Sequence, residues 1–255
     1  MKFMHTINLI LVKASLNLKS EASVNYLSYT WWVIEPLMHM SVYYLVFAFF
    51  LQRGDENYVV FLLTGLIPWL WFSKTVNHAM GSIIQGRFLM NQLFIHKIFF
   101  PMTFIIQDAL KQIIVFLILV LFLIAYGIDI NTEWIYLLLI IAIQFIFTTA
   151  CSLLAALITP FIRDMSYIIP TTLQFLMFTS GIFFNYKDIP VQYQSYLFFN
   201  PIAVLLACYR DVLLDNNIAH LYELISVGGV GVLLILVSIV LYRKLEYKLP
   251  RVVLE

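Results

Sequence analysis

The chain has 255 residues, of which 62% are hydrophobic and 11% charged, with a net charge of +1 and a mean hydropathy of +0.92. A soluble domain carries about 25% charged residues, and fifteen Lys/Arg against fourteen Asp/Glu give no basic surface for nucleic acid. These figures exclude a soluble enzyme, a disordered chain and a DNA-binding module, and leave an all-α integral membrane protein of several helices.

Residues 1–28 come first. Phe3, Met4, Ile7, Ile10, Leu11, Ala14 and Leu18 recur at helical spacing, with Lys2, Thr6, Lys13 and Asn17 on the other side. The pattern predicts an amphipathic helix in the membrane interface, or one packed on a partner. About 20 apolar residues are then needed for each crossing. Seven stretches qualify or come close: Trp31 to Leu51, Tyr58 to Ser73 and beyond, Pro101 to Tyr126, Trp134 to Ile162, Met165 to Tyr186, Ile189 to Tyr209 and Leu224 to Tyr242.

Charge at the two ends sets the count. Lys2, Lys13 and Lys19 precede the first span, and Arg243, Lys244, Lys248 and Arg251 follow the last. Basic flanks stay in the cytoplasm, so both termini are inside and the number of crossings is even. The stretch to remove is Ile189 to Tyr209, which holds Pro190, Gln192, Gln194, Ser195 and Asn200-Pro201. Pro201 lacks a backbone donor and disfavours helix at Asn200. Each half is about ten residues, or roughly 15 Å of helix, half a bilayer. A hairpin dipping in from the outer face is expected, the alternative being a segment lying flat on that face.

Six spans follow, at about 30–52, 58–80, 102–126, 134–161, 165–186 and 222–242, in one domain over 1–255. An inner segment covers about 84–100, and the outer hairpin about 187–212. Ten Lys/Arg then fall inside and three, Arg53, Lys187 and Arg210, outside, which agrees with this orientation.

The chain has no G-x-x-x-x-G-K-[ST] loop, no H-E-x-x-H, no G-x-S-x-G and no Cys/His cluster. Its five histidines are scattered, and Cys151 and Cys208 read as buried thiols. Asp108 and Lys111, at i and i+3, can neutralise each other, and Glu35 precedes Pro36 where it can face a cavity or a partner helix. So few buried charges make no proton relay. Energy other than an ion gradient must come from another subunit.

Several motifs together resemble a known family. They are Leu27-Ser28-Tyr29-Thr30-Trp31-Trp32 leading to Glu35-Pro36-Leu37, then Asn91-Gln92-Leu93-Phe94-Ile95-His96-Lys97 leading to Pro101, then Arg163-Asp164. Ser180-Gly181-Ile182-Phe183-Phe184, Ile189-Pro190, Asn200-Pro201 and Arg210 complete the series. In order and spacing the chain resembles the transmembrane subunit of the type-2 ABC exporters of bacterial surface polysaccharides: capsule, O-antigen or teichoic acid. It departs from the family at Asn17-Leu18-Lys19-Ser20-Glu21, where a basic, tyrosine-containing stretch is usual, and at Leu27-Ser28, where Leu-Gly is usual.

The resemblance implies a permease in the bacterial inner membrane, without catalysis or cofactor of its own. A partner ABC ATPase in two copies would hold ATP and Mg. Two copies of this chain would enclose the path of a lipid-linked glycan. A coupling helix that docks on the ATPase maps to Ile84–Phe100, with Arg87, Asn91, Gln92, His96 and Lys97 as polar contacts and the Arg163-Asp164 pair beside them. An outer gate maps to Pro190, Asn200, Pro201 and Arg210.

Glycans pass over flat apolar faces with hydrogen-bonding rims. Trp31, Trp32, Tyr43, Tyr44, Trp69 and Trp71 are therefore candidates for the path, although Trp and Tyr also gather at bilayer interfaces. The remaining readings are a type-2 permease for teichoic acid, a lipid or a drug; a membrane-embedded glycan or lipid transferase; and an ion-coupled transporter.

Overall fold

A computed structural model describes residues 2–24, 28–50, 57–92 and 95–254. Leu27 of the first motif, Arg53, and Leu93 and Phe94 of the inner segment lie outside the described residues, as does the Asn91 side chain. Among the described residues every regular element is helical. The helices are α1 Lys2–Val24, α2 Trp31–Tyr44, α3 Tyr58–Met80, α4 Ser82–Gln85, α5 Arg87–Gln92 and α6 Phe99–Tyr126. They continue as α7 Tyr136–Ile158, α8 Met165–Thr179, α9 Val191–Leu197, α10 Pro201–Leu213, α11 Leu221–Leu245 and α12 Lys248–Leu254.

By length and composition four helical segments can cross a membrane: Tyr58–Met80, Phe99–Tyr126, Thr132–Ile158 and Leu221–Leu245. The first and fifth of the expected six spans are shorter helices. A π-helical turn at Leu45–Phe50 follows α2. The expected 165–186 helix stops at Thr179, where Gly181 takes a φ of +76° that a continuing helix does not allow.

α3 is the centre of the bundle. Its apolar window is 72% buried, against 28% for α6 and for α11, which show most of their surface to the outside. α3 packs on α6, α7, α10 and α2. Gln144 of α7 donates to the Pro68 carbonyl at 2.8 Å and ties the two helices. α11 lies along α7, where Gly228 and Gly231 bring the backbones close: a Cβ on Gly231 would stand 3.3 Å from the Phe147 backbone. Small residues at such crossings let helices approach in a setting with no hydrophobic drive between them.

α1 packs on the first half of α6. Ile10 and Ala14 are its buried contacts, while Leu9, Leu11, Val12 and Leu16 are exposed. The chain ends of this half meet in a second core containing Ile83, Met90, Phe100, Leu157, Tyr242 and Leu249. This cluster places α4, α5, the start of α6, the end of α7 and α12 at one end of the bundle.

Candidate functional site

The inner segment is built as two short helices and a turn. α4 and α5 flank Gly86, and the Phe100 ring occupies the space that a Cβ there would need. This contact sets α5 against the start of α6. Arg87 lies over the neighbouring Phe88 ring at 4.9 Å. Phe88 is 68% exposed, and Ile84, Leu89 and Gln92 are also exposed. The result is a small apolar patch edged by one cation. His96 is exposed too, with Nδ1 2.7 Å from the Glu246 carboxylate beyond α11.

Lys97, expected as a polar contact of the coupling segment, faces the bundle. It is 6% exposed and donates to the Ile95 carbonyl at 3.0 Å. Burial pushes its ammonium below the ordinary lysine range, while Glu246 pulls the other way. The turn packs against the bundle, and the Lys97 ammonium supplies its Ile95 carbonyl with a donor. Arg163 and Asp164 are exposed in the turn after α7. That turn is at the same end of the bundle as α4 and α5, because Leu157 and Ile83 share one core.

At the other end the chain breaks at Asn200-Pro201. The Asn200 side chain accepts the Ile202 N–H at 3.0 Å and donates to Ser180 Oγ at 2.8 Å. Asn200 thus caps α10, Pro201 takes the first helical position that suits it, and the pair is tied to the end of α8. The two halves of the break are unequal. α10 is buried from Ile202 to Leu213 and packs on α3, α7 and α11. α9 has seven residues and turns Tyr193 and Tyr196 outward. Pro190, just before α9, is exposed, and its carbonyl accepts the Tyr193 N–H at 2.8 Å.

Arg210 is the fastening of this end. It is buried and donates to the carbonyls of Gly181 at 2.5 Å, Ile182 at 2.8 Å and Phe61 at 3.3 Å, with its guanidinium 3.6 Å over the Phe61 ring. The Gly181 and Ile182 carbonyls follow the end of α8, where carbonyls are left without helical partners and carry partial negative charge. A single fork therefore joins α10, α3 and the end of α8. Gly65 makes room for it: a Cβ there would stand 2.5 Å from Arg210 Nη2. Gly65→Ala gains about 1 kcal/mol in helix propensity but overpacks a pinned side chain at a cost of about 1–3 kcal/mol. A net loss of about 1 kcal/mol is expected in thermal unfolding.

The six candidate aromatics divide. Trp69 and Trp71, candidates for the path, are core residues, 3% and 5% exposed, and Trp71 also borders a cleft and a groove. α3 is the central helix, so its rings are enclosed on most sides, with Trp69 against Phe72 and Trp71 against Phe116 and Phe145. Trp31 and Tyr44 are exposed, and Trp32 and Tyr43 half-buried. Tyr43 bridges α2 to the end of α8, its hydroxyl 3.4 Å from Met177 Sδ and its ring 4.9 Å from Phe183.

The expected Asp108–Lys111 neutralisation is looser than the contacts each makes elsewhere. They stand 3.8 Å apart, while Asp108 lies 2.7 Å from His78 Nδ1 and Lys111 2.6 Å from Glu21. Glu35 pairs with Lys74 at 2.6 Å. These partners are distant in sequence, which is why spacing along one helix did not find them.

α8 carries a surface that sequence reading passed over. Of its residues Leu173 is buried, while Tyr167 and Phe175 are 78% and 68% exposed and Phe178 is exposed as well. With Thr171 they follow at i, i+4, i+8 and i+11 along one face. The spacing is in the sequence, but the run was apolar enough all round to pass for an ordinary span.

The described residues thus form a helical bundle with a central apolar helix and a cation-edged apolar patch at one end. The family model described as "ABC-2 type transporter" matches residues 11–214, and the chain belongs to that family. Membership implies a membrane location and an ABC ATPase partner. The chain is 26% identical to the O-antigen export system permease protein RfbA of Klebsiella pneumoniae, over 96% of this chain and 95% of the relative. It is 27% identical to the polysialic acid transport protein KpsM of Escherichia coli, over 86% of each. It is also 27% identical to the capsule polysaccharide export inner-membrane protein CtrC of Neisseria meningitidis serogroup A, over 70% of this chain and 69% of the relative.

Proposed function

We propose that this chain is the permease subunit of an ATP-driven exporter that carries a lipid-linked polysaccharide, of the O-antigen or capsular type, across the bacterial inner membrane. The observation that supports this most is the likeness of nearly the whole chain to a permease named for O-antigen export. In this reading six segments cross: α2 with its π turn, α3, α6, α7, α8 and α11. The 20 residues from Trp31 to Phe50 reach about 30 Å, enough for a hydrocarbon core. α8, with 15 residues, reaches about 22 Å, and residues 180–186 complete the fifth crossing. Both termini face the cytoplasm, and α1 lies in the inner interface with Leu9, Leu11, Val12 and Leu16 toward lipid. The segment of about 187–212, which holds α9 and most of α10, forms the re-entrant outer gate around Pro190, Asn200, Pro201 and Arg210.

Two copies of the chain face each other through α8 and α2. The path between them is floored by Tyr167, Thr171, Phe175 and Phe178, with Trp31, Trp32, Tyr43 and Tyr44 at its side. Aromatic faces stack on sugar rings, and hydroxyls exchange hydrogen bonds with them as the chain slides. The partner ATPase, in two copies, binds ATP and Mg and grips Arg87, Phe88, Asn91, Gln92 and His96, with Arg163 and Asp164 as a second contact. Closure of the ATPase pushes α5. The push passes through Phe100 to α6 and moves the protomers relative to each other.

The test uses Tyr167→Ala with Phe175→Ala in cells whose sole permease is this chain. Both side chains are exposed, so the protein level stays at wild type. Surface glycan is expected to fall about tenfold, a loss of roughly 1.4 kcal/mol in transition-state contacts, while lipid-linked glycan builds up inside. Unchanged surface glycan with no internal build-up overturns the reading.

A further inference from the structure

A cleft of about 310 Å³ lies between α1, α2, α3 and α6. Glu21, Glu35, Asp108, Lys74, Lys111 and His78 line it, with Trp31 and Trp32 on one wall. Its charged side chains and His78 are already paired with one another. Lys74 meets Glu35 and Lys111 meets Glu21, each at 2.6 Å, and His78 meets Asp108 at 2.7 Å. In the Lys74–Glu35 pair both partners are open, with about a third of each side chain exposed, whereas in the other two pairs one partner is mostly covered. An anionic group entering here finds no spare cation and would leave a carboxylate unpaired in a low-dielectric site. A group carrying both charges can insert into the Lys74–Glu35 pair and satisfy both ends.

The same wall holds an unmet donor. Gln112 is 7% exposed, and its side-chain Nε2 has no acceptor. Buried donors are normally satisfied, so this one asks for a ligand oxygen. Gln112 and Trp71 also line an apolar groove of about 520 Å³ between α3, α6 and α7, walled by residues such as Ile113, Leu117 and Leu138. A chamber of paired charges thus adjoins a hydrocarbon groove at the Gln112 donor.

We infer that cleft and groove together bind one zwitterionic phospholipid of the phosphatidylethanolamine kind. Its phosphate oxygens accept from Lys74 and Gln112. Its ammonium pairs with Glu35 against the face of Trp31, where a cation is attracted by the ring, the Trp32 ring already standing 5.7 Å from Lys111 Nζ. One acyl chain lies in the groove past Trp71. The cleft is bounded by α1, so the lipid fastens the interfacial helix to the bundle. The inference rests on the membrane placement proposed above, and Trp31 and Trp32 border both this cleft and the proposed path.

The full chain is reconstituted in bilayers holding equal phosphatidylethanolamine and phosphatidylglycerol, extracted in mild detergent, and the retained phospholipid identified by mass spectrometry. Phosphatidylethanolamine is expected at about tenfold over phosphatidylglycerol. Lys74→Gln with Glu35→Gln brings the ratio to about 1, and so does Gln112→Leu, which keeps the ion pairs and guards against misfolding in the double variant. Equal retention of the two lipids by the wild type, or wild-type enrichment in both variants, overturns the site. Soluble O-phosphoethanolamine is expected to leave the lipid in place, and displacement by it overturns the assignment to a lipid. Glycan export with no enrichment overturns the lipid site alone, whereas enrichment with no export keeps the site and overturns the exporter reading.

Discussion

Arg210→Met is expected to lower stability by on the order of 3–5 kcal/mol and to abolish export. The guanidinium holds three carbonyls, those of Gly181, Ile182 and Phe61, and methionine fills the volume while satisfying none of them. Each buried acceptor left unmet costs about 1–3 kcal/mol. For a chain of this size the melting temperature in detergent falls by on the order of 10 °C. Insertion persists, because the four long apolar helices are untouched. Arg210→Lys restores charge but not the fork, and an intermediate melting temperature is expected. Wild-type melting and export in Arg210→Met would sink this account. Arg210 is then a fastening that positions the end of α8.

Arg87→Glu combined with Phe88→Asp is expected to reduce co-purification of the partner ATPase about tenfold or more, with the melting temperature unchanged. Phe88 is an exposed aromatic beside a cation, the composition of an interface anchor, and such anchors cost about 2 kcal/mol or more when lost. Lys97→Glu serves as the contrast. That side chain is buried and bound to the Ile95 carbonyl, so its reversal lowers stability before it touches docking. An intact complex with the Arg87/Phe88 variant would remove α5 from the interface.

Much of the helical character could be read directly. The uncharged run after Asn57 becomes α3, and the run from Trp134 becomes α7, because an apolar backbone must satisfy its own hydrogen bonds and helix is the local way to do so. The Asn200-Pro201 break was equally legible, since proline acts on its immediate neighbours. The candidate site was less so. Its inner patch falls within the segment expected from the motif, yet Lys97 points inward, and nothing in the local sequence distinguishes it from Arg87.

Composition and breaker residues thus dictate an all-helical membrane chain with a late interruption, through forces that act within a turn or two of helix. Long-range packing alone decided the rest. It made α3 the centre and buried most of Trp69 and Trp71. It turned Tyr167 and Phe175 outward, and it gave Asp108 to His78 and Lys111 to Glu21. Which face of an apolar helix is buried depends on its neighbours, and a charge pairs with whichever partner folding brings within about 4 Å.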